Sequence, residues 1–256
     1  MSTLRVAAVQ HDIVWFDREA NFDRLRPMIA GAAASGAELV LLTETFSTGF
    51  GFAEPGIAEP EDGPSATFLR EQAAEYGIWV GGSCPEQTDG ADRPSNVFVL
   101  VGPDGSASRY RKIHPFSHSG EDEHVRAGDE FVQVEVDGVR LTLFVCYDLR
   151  FADEFWATGP TTDAFVVVAN WPGKRRGHWS TLLRARAIEN QCYVVAANRV
   201  GTDAYGLEYT GDSVVVDPLG AVLVEAAGTE TVIHATIDTD HVASTRDHFR
   251  FLQDRR

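Results

Sequence analysis

Apolar runs of strand length, separated by stretches of helical spacing, constrain this chain more than any other feature. Val139–Val145, Ala164–Ala169 (AFVVVA) and Cys192–Asn198 (CYVVAAN) carry almost no polar residue. Runs of this length and composition form buried strands rather than surface ones. Leu4–Gln10, Glu38–Leu42 (ELVLL) and Ile78–Gly82 repeat the pattern nearer the N-terminus. Between the strands, Asp17–Ala34, Ser65–Tyr76 and Trp179–Asn190 read as helices, and Arg150–Ala157 as a short one. The first of these places Phe22, Leu25, Met28 and Ile29 on one face.

Three hairpins interrupt the alternation. Asn96–Val101 and Ser106–Lys112 flank Gly-Pro-Asp-Gly, Phe131–Val136 and Val139–Val145 flank Asp137-Gly138, and Asp212–Asp217 and Ala221–Glu225 flank Pro218-Leu219-Gly220. Thr231–Ile237 is a last strand and Thr239–Phe249 a closing helix, while Phe46–Pro64 and His114–Gly128 read as loops. No linker, low-complexity segment or composition break divides residues 1–256, so one α/β domain is expected, with a mixed sheet or two stacked sheets covered by helices.

Charge and cysteine content exclude whole classes. The net charge of −16 is wrong for a protein that neutralises a phosphate backbone. No apolar run reaches the roughly 20 residues that span a bilayer. Cys84, Cys146 and Cys192 form neither a disulfide framework nor a zinc pair, and His114, His118 and His124 have poor metal-ligand spacing. A cytoplasmic protein with reduced thiols, needing no metal and no cofactor, is expected.

Candidate chemistry gathers where strands end. Glu44 follows ELVLLT, Lys112 follows Ser106–Tyr110, Cys146 follows LTLFV, and Asn170 follows AFVVVA. Open α/β architectures place their sites at such edges. A carboxylate, an ammonium and a thiol there form a coherent set: Glu44 as general base, Cys146 as nucleophile, Lys112 and the Tyr147 N–H as oxyanion donors. Lys112 is also expected to lower the thiol pKa. For each residue alone the plainer alternative is a solvated rim charge or a small buried hydrophobe.

These residues sit in recognisable motifs. LVLLTETFSTGF, YRKIHPF and VCYDLRF occur in the order found in the nitrilase superfamily of carbon–nitrogen hydrolases, which the chain resembles from VAAVQHDIVWFD to VVVDPLGAV. VANWP, HW and LLRARAIENQCYVVAANRVG are most similar to the ω-amidase branch. The resemblance implies a four-layer αββα sandwich of two mixed sheets that pairs as a homodimer through helices. It also implies a Glu–Lys–Cys triad of Glu44, Lys112 and Cys146, and hydrolysis of the terminal amide of short α-keto acid amides such as 2-oxoglutaramate. A nitrilase, an N-carbamoyl amidase, an aliphatic amidase or a non-catalytic scaffold are the alternatives.

A second catalytic glutamate is implied between the Lys and Cys motifs; Glu121 is favoured, with Glu123 as rival. One departure is Phe151-Ala152-Asp153 where the family often has Phe-Pro-Glu. A carboxylate-bearing substrate needs a cationic clamp, for which Arg176 is preferred and Arg175 next, beside Lys174. Asn170 joins them as a substrate-binding candidate, and Phe46, Phe50 and Trp171 are candidates for an apolar wall. Asp148 and Arg150 are expected to order the turn after the nucleophile.

Overall fold

The computed structural model describes residues 2–226 and 228–255. In chain order the elements are β1 (Thr3–Gln10), α1 (Arg18–Ala34), β2 (Leu39–Leu41), β3 (Glu59–Pro60), α2 (Pro64–Tyr76), β4 (Trp79–Gln87), β5 (Ser95–Val101) and β6 (Ala107–Arg111). Then come α3 (Glu121–His124), β7 (Gln133–Val136), β8 (Val139–Val145), α4 (Ala152–Thr158), β9 (Ala164–Ala169), α5 (Arg176–Asn190) and β10 (Tyr193–Asn198). β11 (Val200–Thr202), β12 (Glu208–Thr210), β13 (Val214–Val216), β14 (Val222–Glu225), β15 (Thr231–Asp238) and α6 (Thr239–His248) complete the chain.

The strands form two mixed sheets. One runs β15-β1-β2-β4-β5-β6, with β3 also on β4; the other runs β14-β13-β10-β9-β8-β7. One core joins the sheets: Leu4, Val6, Leu39 and Phe98 of the first belong to the same cluster as Leu143, Val166 and Val195, which share one face of the second. Outside the first sheet, α1 and α2 bury Phe22, Leu25, Phe68 and Leu69 against Val40, Val80 and Val99. Trp179, Leu183 and Ala187 of α5, with Phe155 of α4, cover the second sheet. The result is the four-layer αββα sandwich. Strands buried on both faces need apolar residues at every position, which is why AFVVVA and YVVAAN lack alternation.

The structure moves several boundaries. The strand expected over Ile78–Gly82 continues to Gln87. Gly81 and Gly82 lie inside it, because a Cβ at Gly81 would stand 2.8 Å from Phe98 and one at Gly82 would stand 2.9 Å from both Leu42 and Phe46. Helix α5 starts at Arg176, three residues before the expected Trp179. Two hairpins appear where none was read: β4–β5, because β4 runs on to Gln87, and β11–β12, since GTDAYGLEY is too polar to look like strands. Phe46 belongs to the core with Phe22 and Phe68 and not to a pocket wall.

Candidate active site

Glu44, Lys112 and Cys146 converge at the seam between the two sheets. Strand β2 ends at Leu41, β6 at Arg111 and β8 at Val145, so each residue stands one to three positions past a strand of the first or second sheet. Lys112 Nζ donates to Glu44 Oε1 at 2.9 Å and to Glu121 Oε2 at 2.8 Å. These three side chains are essentially sealed from solvent. Asn96 Nδ2 bridges the same carboxylates, at 2.9 Å from Glu44 and 3.1 Å from Glu121. The second oxygen of Glu44 accepts from the Asn170 N–H at 2.8 Å, and Glu121 accepts from the Phe116 N–H. Asn96 went unread in the sequence, where its only mark is a polar residue at the mouth of an apolar strand. Glu123, the rival of Glu121, lies on the exposed side of the four-residue helix α3, whereas Glu121 is its buried residue.

Cys146 and Glu44 are both presented by bent backbone. Cys146 has φ 48° and opens a single 3-10 turn, Cys146–Arg150, between β8 and α4. Thr45, next to Glu44, has φ 42°. Left-handed backbone is uncommon for non-glycine residues and costs most at a β-branched one, so it persists only where neighbours fix it. Thr45 is fixed by Ser83 Oγ, which accepts from its N–H at 2.9 Å, and by Asn170 Nδ2, which donates to its hydroxyl at 2.7 Å. Asp148 fixes the other turn. Its carboxylate accepts from the Val145 N–H, from the His114 N–H and from the Tyr110 hydroxyl, at 3.0, 2.9 and 2.8 Å. Val145 is in the second sheet and Tyr110 in the first, so this buried carboxylate joins the two.

The charges of the site follow from burial. Burial pushes the Cys146 thiol well above its usual range; Glu44, within hydrogen-bonding reach, adds to this, and Lys112 opposes it. Lys112 thus acts in the expected direction, but it is outweighed and the resting thiol is protonated. Burial also works against the Lys112 ammonium, yet Glu121 and Glu44 together hold it charged beyond the ordinary lysine value. Glu121 is raised by burial, with Lys112 opposing. Burial likewise pushes Asp148 up to about 6.

Cys146, 8% exposed, forms part of the floor of a cavity of about 340 Å³. Phe50, Tyr147, Asn170, Trp171 and Arg175 line it, together with Glu121. Arg176 does not: it is the first residue of α5, its side chain is 63% exposed, and it pairs with Asp212. Arg150 does, contrary to expectation. Its guanidinium lies 4.6 Å over the Trp171 ring and 5.8 Å over Tyr147, with the His178 ring as hydrogen-bond partner. Arg175 lies 5.2 Å over Phe116. Among the described residues, neither Arg150 nor Arg175 pairs with a carboxylate, and no cluster of His, Cys, Asp and Glu has the form of a metal site. Among the described residues, no helix is long and apolar enough to cross a membrane.

Known proteins share this architecture. The carbon-nitrogen hydrolase family pattern matches residues 5–247. The chain is 39% identical to the omega-amidase YafV of Yersinia enterocolitica, over 99% of this chain and 97% of that protein. It is 31% identical to a 2-oxoglutaramate amidase of Bacillus subtilis, over 97% and 96% of the two. A solved CN-hydrolase superfamily protein of Xanthomonas campestris, with an arsenic adduct in its active site, superposes with a TM-score of 0.95 at 38% identity, covering 100% of this chain and 98% of that one. Matched over nearly all its length in sequence and in fold, this chain belongs to the carbon–nitrogen hydrolase family.

Proposed function

We propose that the protein is a thiol amidohydrolase of ω-amidase type, releasing ammonia from the terminal amide of a short α-keto acid amide such as 2-oxoglutaramate. The observation that carries this reading is a buried thiol beside a cluster in which Lys112 bonds Glu44 and Glu121, under a cavity holding two guanidinium groups that pair with no carboxylate among the described residues. The names of the Yersinia and Bacillus relatives support it.

Attack begins as the Cys146 sulfur bonds to the amide carbon and its proton passes to Glu44. Because burial keeps the thiol protonated, transfer accompanies attack and no free thiolate is stored. The carbonyl electron pair moves to oxygen, which accepts hydrogen bonds from Lys112 Nζ and the Tyr147 N–H. An ammonium has three N–H donors; at rest Lys112 Nζ donates to Glu44 at 2.9 Å and to both oxygens of Glu121 at 2.8 and 3.2 Å, and the longest of these contacts gives way to the oxyanion. The C–N bond then breaks, the nitrogen takes the proton that Glu44 received from the thiol, directly or relayed by Glu121, and ammonia leaves a thioester on Cys146. The raised Glu121 is suited to that donation. Water adds to the thioester carbon, giving its proton to the same glutamate; the C–S bond breaks, the sulfur is reprotonated, and the acid departs. None of these steps calls for a metal or cofactor.

Arg175 and Arg150 hold the substrate carboxylate, and Phe50 and Trp171 wall its carbon chain. We also propose a cytoplasmic homodimer. Ile188 of α5 is exposed and packs beside Gly220, and Leu219, Val222 and Leu223 of the same turn and strand are exposed as well, apolar surface that a second copy would cover. Light scattering at twice 28.0 kDa would support it.

The test compares ammonia release from 2-oxoglutaramate, glutamine, simple nitriles and N-carbamoyl amino acids. The keto-acid amide is expected to lead, Cys146→Ala to abolish turnover, and intact mass to show the acyl adduct. Arg175→Ala is expected to raise KM about 10- to 100-fold, the worth of a charged hydrogen bond, and Arg176→Ala to leave it unchanged. Preference for a nitrile or an N-carbamoyl compound would overturn the substrate assignment; full activity of Cys146→Ala would overturn the mechanism.

A further inference from the structure

Two segments outside the charged cluster build the mouth of the cavity. One is the stretch 49–57, which contributes Phe50 and Phe52; the other is β11–β12, which contributes Tyr205, Leu207 and Tyr209. Tyr205 joins them. Its ring meets Trp15 edge-on, with centroids 5.2 Å apart, and its hydroxyl donates to Glu54 Oε1 at 3.2 Å. Although 66% exposed, this side chain therefore spans from the second half of the chain to the first.

Both ends of the span are fixed. Asp203 Oδ1 accepts from the Tyr205 and Leu207 N–H groups, each at 2.9 Å, and Gly206 at φ 78° closes the turn. Behind the tip, Tyr209 donates to Asp203 Oδ2 at 3.0 Å, and the fully buried Arg199 guanidinium lies 4.6 Å over the Tyr209 ring. Arg199 is in turn anchored by Asp12 at 2.9 Å. On the opposite side, Trp15 packs so tightly on the 49–57 stretch that a Cβ at Gly49 or Gly51 would stand 2.9 or 2.7 Å from its ring. An aromatic side chain held between two braced walls limits pocket length; a loose one would not.

We infer that Tyr205 is a specificity-determining residue that closes the cavity mouth against Trp15 and Glu54, so that only short acyl groups fit above Cys146. The inference rests on the amidase reading and deepens it by assigning the limit on substrate length to one side chain.

The experiment measures alkylation of Cys146 by N-methyl, N-butyl and N-octyl iodoacetamide at pH 8, in wild type and Tyr205→Ala, by intact mass and peptide mapping. Cys84 and Cys192 have no exposed surface, so labelling of folded protein reports on Cys146. The wild-type rate is expected to fall as the tail lengthens. Tyr205→Ala is expected to raise the octyl-to-methyl rate ratio about tenfold or more, since a single misfitting methylene is worth roughly that factor. A wild-type rate indifferent to tail length, or an unchanged ratio in Tyr205→Ala, would overturn the inference. A Cys146 that reacts only after unfolding would overturn the thiol mechanism as well, a result distinct from both.

Discussion

Replacing Lys112 by Met tests whether the ammonium is what allows two carboxylates to share a buried site. Methionine keeps the length and apolar stem but removes the charge and all three donors. Glu44 Oε1 and Glu121 Oε2, now 2.9 and 2.8 Å from Nζ, would face each other with no cation between them, their remaining partners being Asn96 Nδ2, backbone N–H groups and the Cys146 thiol. Removing one member of a buried ion pair costs roughly 3–5 kcal/mol. At about 2–4 °C per kcal/mol for a chain of this size, melting should fall by roughly 6–20 °C. The loss depends on pH, and its sign is fixed. Glu121 is already raised by burial with Lys112 opposing, and without Lys112 it rises further. A carboxyl whose folded pKa is raised contributes its stability at low pH and loses it as pH climbs through that value. The variant should therefore lie nearer wild type at pH 5 than at pH 8. Turnover should fall at least about 10²- to 10³-fold at both, the usual loss for one oxyanion donor. Thermal melts at the two pH values, with single-turnover acylation, give the answer. A melting deficit of the same size at both would refute the charge-pairing account.

Asp148→Asn removes one acceptor from the turn behind Cys146 and turns an NH₂ toward donors that need an oxygen. Burial pushes Asp148 up to about 6, so its stabilising contribution is complete below the unfolded pKa and is lost as pH rises to about 6. The deficit of the Asn variant in urea unfolding should accordingly shrink between pH 4 and pH 6, by about 3 kcal/mol at most, and a deficit that grows with pH would sink this account. Gly82→Ala places a methyl 2.9 Å from Leu42 and Phe46 in the outer core; overpacking of this kind costs roughly 1–3 kcal/mol, read as a lowered urea midpoint.

Strand interiors were legible because both faces of a buried strand must be apolar, and Ala164–Ala169 matches its expected range residue for residue. Edges were less so. Gly81-Gly82 looked like a strand end, and only the rings pressing on it explain why glycine is required in mid-strand. The substrate clamp was read from proximity in sequence to Asn170 and Trp171, which could not distinguish three consecutive cations. Starting α5 at Arg176 turns that side chain outward to Asp212, while Arg175, one residue earlier, faces the cavity. Arg150 was read as part of a turn because a cation four residues past a nucleophile carries no mark of the aromatic faces it lies on. The β11–β12 hairpin left no apolar trace, although its Tyr205 and Tyr209 form part of the cavity wall.

That Glu44, Lys112 and Cys146 stood out from sequence while Asn96 and the span of Asp148 did not has a structural cause. The first three follow strands, and strand ends are visible as breaks in apolar runs. Asp148 acts across the seam between sheets, which no local pattern encodes, and Asn96 lies inside an apolar strand of the first sheet, where nothing marks its contacts with Glu44 and Glu121. Asp148, from the second sheet, accepts from Tyr110 and His114 on the first-sheet side; Asn170, after β9 of the second, donates to Glu44 and Thr45, after β2 of the first. These bonds meet the cost of left-handed backbone at Thr45 and Cys146, where unbraced turns would relax. The spacing between carboxylate, ammonium and thiol is thus set by how the two sheets pack, and a substitution that shifts the sheets should reach the thiol through Asp148 before it reaches the cavity walls.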